Sequence, residues 1–103
     1  MLIKVKSLVG TSVSSRKDGR KLRRKILDTL ANSQESVIVD FGGMEIASVS
    51  FLDEGIALLL EDITIEEMGK KVKVINIDEL DRKLLNFITL SRKKERDTLQ
   101  QGE

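Results

Sequence analysis

The sequence predicts a small α/β domain in which strands and helices alternate, β-α-β-α-β-α, around a largely parallel sheet packed by helices. Three observations carry this expectation. Val37, Ile38 and Val39 form an unbroken β-branched run, which suits a strand covered on both faces in the middle of an α/β sheet. The segments that follow each apolar run place their apolar residues at helical spacing instead. Strand and helix signals then alternate along the chain, a pattern that implies parallel strands joined by right-handed crossovers. A chain of 103 residues holds one domain with a real core. We expect that domain over residues 1–92, with 93–103 as a charged C-terminal tail.

Leu2 to Val9 reads as the first strand. Lys4 and Lys6 alternate with Ile3 and Val5, so one face is solvated and the strand lies at the outside of the sheet. Gly10 to Ser15 is a Ser/Thr-rich loop whose hydroxyls suit capping of the next helix. That helix is expected from Arg16 or Lys17 to Ala31, with Leu22, Ile26 and Leu30 as its core stripe. Gly19 weakens its first turn. Asn32 and Ser33 are its stop residues.

After the Val37 strand come Asp40 and Phe41, then a turn at Gly42-Gly43. A second helix is expected to start at Phe51. Ser50 is its N-cap, and Asp53 sits three residues on, where a capping box wants an acid. Apolar residues cover more than half of this helix, and Gly69 ends it. Val72 to Ile77 form the third strand. Asp78 or Asn76 caps the last helix, where Ile77, Leu80, Leu84, Phe87 and Ile88 recur at helical spacing.

Composition excludes several chemistries. There is no cysteine and no histidine, which removes disulfides, thiolate catalysis, the commonest general base and any Cys/His zinc site. Phe41, Phe51 and Phe87 are the sole aromatic residues, a poor platform for base stacking. No apolar run approaches a membrane span, and the N-terminus is interrupted by lysines. We therefore expect a cytoplasmic protein without cofactor, metal or enzymatic activity.

Charge is segregated although the net charge is only +1. Residues 1–25 hold nine basic residues against Asp18 alone, residues 26–69 are acidic with no Lys or Arg, and residues 70–103 are mildly basic. Such segregation steers a partner or neutralises itself once the segments fold together. The cluster Arg16 to Lys25 has the same two readings: a solvated helix face, or a grip on phosphates or acidic protein. In the phosphate reading Arg20, Arg23 and Arg24 contact nucleic acid. Asp53 and Glu54 read as carboxylates that favour a helix N-terminus, with partner contact as the second reading. Asp40 ends the strand where it can bond loop amides around Gly42.

Asp40-Phe41, Ser48 and Ser50-Phe51-Leu52-Asp53-Glu54 resemble the signature of a STAS-like domain family of uncharacterised function. That family is similar to the anti-sigma factor antagonists. Ser15-Arg16-Lys17-Asp18-Gly19-Arg20 also fits the family, and the resemblance covers roughly residues 1–92. It implies a signalling module that binds a protein partner, a kinase-like ATPase of the anti-sigma class. In the antagonists a Ser or Thr at the start of the corresponding helix is phosphorylated. They read Asp-Ser-Ser/Thr-Gly-Leu there, whereas this chain reads Ser48-Val49-Ser50-Phe51-Leu52. Matching Leu52 to the motif leucine puts Val49 at the usual phosphorylated position. The hydroxyl candidates are accordingly Ser50 and Ser48, and the partner-binding candidates are Asp40, Phe51, Asp53, Glu54, Arg16 and Arg20. The class-distinct alternative is a nucleic acid-binding regulator using the basic helix. Monomer and homodimer both fit the sequence.

Overall fold

Three strands, β1 (Leu2–Lys4), β2 (Val37–Asp40) and β3 (Val72–Ile75), lie side by side in that order and pair in parallel. The computed structural model describes residues 1–10, 15–32, 36–44 and 48–101. Five α-helices complete the described fold: α1 (Val5–Val9), α2 (Arg16–Asn32), α3 (Val49–Gly55), α4 (Ile65–Lys71) and α5 (Glu79–Gln101). A 3₁₀ segment, Ala57–Glu61, lies between α3 and α4. The mixed α/β class and the parallel sheet packed by helices are as the alternation predicts.

Register shows which face of the sheet holds the core. Val39 pairs with Ile3 on one side and Val74 on the other, and Val37 pairs with Val72. Ile3, Val37, Val39 and Val72 are buried with Leu22, Ile26, Phe51, Leu52, Ile56, Leu59 and Leu85. The alternate positions, Leu2, Lys4, Lys73 and Ile75, are exposed, and Ile38 and Asp40 between them are half-buried. So the sheet is covered on one face, not two as the Val37–Val39 run suggests. Sequential parallel strands joined by crossovers of one hand carry their helices on one side.

Several elements depart from expectation. The first strand ends at Lys4, and Val5–Val9 turn into α1. Ile3 and Val5 satisfy a period of two, but Val5, Leu8 and Val9 also satisfy helical spacing. Lys4 pairs with Asp40, and beyond it β2 has already turned at Gly42. With no strand left to pair, α1 forms and buries Val5. Gly10, at φ 95°, ends it. The long helix expected from Phe51 to Gly69 is three pieces. Its N-cap is Ser48, not Ser50: the Ser48 hydroxyl accepts from Phe51 N–H at 3.1 Å. A new start follows at Thr64, whose hydroxyl and the Glu67 carboxylate form a reciprocal capping box. Gly69 therefore lies inside α4.

The last helix is capped by Asp78, whose carboxylate accepts from Leu80 N–H at 3.2 Å. Asn76 instead occupies the left-handed region, at φ 56°, where asparagine is tolerated. Periodicity located α5 but misplaced its buried face. Leu85 is buried and Leu84 and Ile88 pack against the core, while Leu80 and Phe87 are 74% and 71% exposed. Nor does a tail begin at residue 93. The helix continues to Gln101, and Arg96 Nη1 donates to the Leu60 carbonyl and, at 3.2 Å, to that of Ile63. The expected roles of the Thr11–Ser14 hydroxyls and of Ser33 fall outside the described residues.

Gly19 does more than weaken a helix turn. A Cβ there would lie 2.6 Å from Glu54 Cβ and 3.0 Å from the Phe51 carbonyl oxygen. Across the contact, a Cβ at Gly55 would meet Leu22 Cδ2 at 3.1 Å. Bare backbone on both helices lets α2 and α3 approach closely. Gly19→Ala gains roughly 1 kcal/mol of helix propensity, yet overpacks a contact in which both neighbours are close to main chain. A net loss of about 1–2 kcal/mol is expected in urea unfolding followed by circular dichroism. An unchanged midpoint would show that α2 can lift from α3 without cost.

Candidate functional site

The start of α3 is built on a cluster of charge. Asp53 and Glu54 are 5% and 9% exposed, on the part of α3 that faces α2 and α5. Arg92 of α5 grips Asp53 with two bonds, Nε to Oδ1 at 2.9 Å and Nη2 to Oδ2 at 2.6 Å. Arg16, at the start of α2, places Nη1 3.2 Å from Asp53 Oδ2 and 3.5 Å from Glu54 Oε1. Arg23, two turns on, lies 3.4 Å from Glu54 Oε2. Paired guanidinium groups make two nearly buried carboxylates tolerable where unpaired charge would be costly. The fit is incomplete, because Arg23 Nη1 is buried without a hydrogen-bond partner.

This arrangement corrects the role expected of the two acids. They lie in the middle and last turn of α3, so they neither cap it nor stabilise its N-terminus. They fasten three helices together. The Arg92 hydrogen bond holds the Asp53 carboxyl below the usual carboxylate range; burial acts in the opposite sense and Arg16 adds to the lowering. In return Asp53 raises the Arg92 guanidinium.

Phe51 is fully buried, its ring edge-on to Phe41 at 6.3 Å. No partner reaches Phe51 or Asp53 without opening the core, so the accessible part of the helix start is smaller than the motif suggested. It consists of half-buried Ser48 and Ser50 with Val49, which is 53% exposed, between them. Arg16 keeps about half of its side chain in solvent beside this cluster. Asp40 sits apart, at the C-terminal end of β2. Its Oδ1 accepts from Gly42 N–H at 2.7 Å and from Asn76 Nδ2 at 2.9 Å, joining the ends of β2 and β3. The Asn76 bond, followed by that of Gly42, lowers the Asp40 carboxyl below its ordinary value.

The basic helix divides. Arg16 and Arg23 turn toward the acids, whereas Lys17, Arg20, Lys21 and Arg24 are exposed and border a shallow groove with Asp18. Arg20 and Arg24 thus stay available to an outside anion, and Arg23 does not. Among the described residues no cluster of acids suits a metal ion, and no helix is long and apolar enough to cross a membrane. Sequence reasoning missed Arg92. The available signal was its place on the stripe Leu85, Ile88, Arg92, Arg96, where two arginines continue the apolar face of α5.

A parallel sheet covered by helices on one face, with hydroxyls at the start of the helix after its central strand, fits a STAS-like α/β domain. The chain belongs to the family described as STAS-like domain of unknown function (DUF4325), whose model matches residues 18–82. No match was found among curated proteins or among solved structures.

The lowered Asp53 carboxyl makes stability depend on pH. Its folded value lies below the ordinary 3.8, so its contribution is complete above about pH 4 and is lost as pH falls through the folded value. Asp53→Asn is expected to cost about 2 kcal/mol at neutral pH. The figure sits below that for a fully buried pair because Arg92 and Arg16 reach water. The variant's stability should then fall less steeply than the wild type's below about pH 4, in denaturant titrations at stepped pH. Parallel slopes would place the acid sensitivity elsewhere.

Proposed function

We propose that the chain is a non-enzymatic signalling module that docks a regulatory protein in the cytoplasm through the start of α3. The observation that carries this reading is Val49, an exposed apolar side chain flanked by two hydroxyls on a helix start anchored by Asp53 and Glu54. Exposed apolar groups on a rigid base suit a protein contact. The family resemblance points to a kinase-like ATPase of the anti-sigma class as the partner.

Phosphorylation of Ser50, or of Ser48, would add about two negative charges and switch the affinity. The two hydroxyls are not equivalent. Ser48 serves as the N-cap, so its modification also alters the cap, whereas Ser50 lies within the first turn. Arg16, with about half of its side chain in solvent, is a cation of the cluster that could offset the added charge. The reading predicts that protein captured from the native host carries a phosphate-sized mass increase and retains an ATPase partner. Val49→Glu should fold normally yet retain at least about tenfold less partner, by quantitative mass spectrometry. Equal retention by Val49→Glu would remove the helix start from the contact.

A second reading rests on the exposed cations of α2. Lys17, Arg20, Lys21 and Arg24 form a surface that suits phosphates, and nucleic acid bound there would dissociate steeply with salt. Recovery of nucleic acid that Arg20→Ala with Arg24→Ala no longer retains would favour this reading over the first.

A further inference from the structure

The outer edge of β3 opens into a groove of about 440 Å³ between α4 and α5. Ile65 and Met68 form one wall, Leu85 and Leu90 the other, and Val72 and Val74 line its base. Phe41 N–H donates to the Ile75 carbonyl at 3.0 Å, so Ile75 and, two residues earlier, Lys73 turn their peptide groups toward β2. Val72 and Val74 turn theirs to the open edge. Two of those four groups are engaged. Val72 N–H donates to the Met68 carbonyl as α4 ends, and Arg82 Nη2 donates to the Val74 carbonyl at 2.8 Å. The Val72 carbonyl and the Val74 N–H remain at the edge, on either side of Lys73.

This pair of groups sets the register of any added strand. A parallel strand bonds both through one residue, which then lies opposite Lys73. An antiparallel strand bonds them through the two residues flanking the one opposite Lys73. In either direction the central residue shares a face with Lys73, and its neighbours share the face of Val72 and Val74. Lys73 is exposed on the uncovered face of the sheet, and the opposite face leads into the apolar groove. Two copies of the chain joined here about a two-fold axis would set Lys73 directly against its own counterpart, a like-charge pair that opposes association.

We infer that the β3 edge binds an extended segment of another protein by strand addition, with an acidic residue opposite Lys73 and apolar residues on both sides of it. Backbone bonds supply the pairing, the groove accepts the apolar side chains, and Lys73 selects the acid. This surface is separate from the start of α3 and does not depend on that docking reading.

The test uses the full chain and a fluorescein-labelled heptapeptide of alternating valine and glutamate, with its valine–lysine counterpart. Fluorescence anisotropy should show saturable binding of the glutamate peptide, and the Val74 amide should become protected from hydrogen exchange. Lys73→Glu should weaken the glutamate peptide by about tenfold and favour the lysine peptide. A glutamate peptide N-methylated at alternate amides should fail to bind. The inference is overturned by equal binding of both peptides to Lys73→Glu, or by amide changes confined to Arg20, Lys21 and Arg24. It is equally overturned if wild-type chain dimerises in sedimentation and protects Val74 without peptide, since the occupant is then a second copy.

Discussion

Helices α2 and α3 meet where neither carries a side chain, at Gly19 and Gly55, and the arrangement around the helix start depends on that contact. Any Cβ at Gly19 would push Glu54 away. With the helices in contact, the acids of α3 come within reach of Arg16 and Arg23 on α2. The same acids meet α5 from the other side through Arg92. A steric fact about a residue without a side chain thus decides where buried charge can exist. Without close approach the carboxylates would be neither dry nor paired, and their burial would not be sustained.

The cluster gives the start of α3 a rigid base. Ser48 caps the helix, Phe51 and Leu52 are buried beneath it, and Asp53 and Glu54 tie it to neighbours on two sides. What solvent reaches is a short strip, exposed Val49 between half-buried Ser48 and Ser50. Small exposed groups held by a packed scaffold are a familiar way to present a contact surface. The second candidate surface, along β3, has a different origin. Among the described residues the order β1-β2-β3 leaves β3 at one edge of the sheet, with no fourth strand paired to it. The ends of β2 and β3 are tied by Asp40 and Asn76, so the β3 edge is also held firmly.

Much of the fold was legible in the order of residues. The Val37–Val39 run, the helical stripe Leu22–Ile26–Leu30 and the alternation of strand and helix signals are local patterns, and local patterns report local structure. Misreadings arose where one pattern serves two structures. Ile3 to Val9 fits a period of two and a period near four, and the length of β2 decides between them. The Phe51–Gly69 stretch is apolar enough for one helix, but Thr64 and Glu67 build a new N-terminus inside it. Leu80 and Phe87 carry the right spacing on the wrong side of α5. The candidate site was legible as a location, since Ser48, Ser50, Asp53 and Glu54 follow the central strand. Their division into half-buried hydroxyls and buried acids was not.

By itself, the sequence determined the class: an α/β chain with no cysteine or histidine, a basic segment ahead of an acidic one, and hydroxyls after the second strand. Composition and short-range periodicity suffice for each of these, because each concerns residues within a few positions of one another. Tertiary structure alone decided which charges meet. Arg92 lies 39 residues from Asp53, and nothing in either neighbourhood names the other. It also decided that Arg23 turns inward while Arg20 and Arg24 face solvent, and that the sheet is covered on one side. Those outcomes follow from how helices cross and which strands are neighbours, and long-range packing sets both.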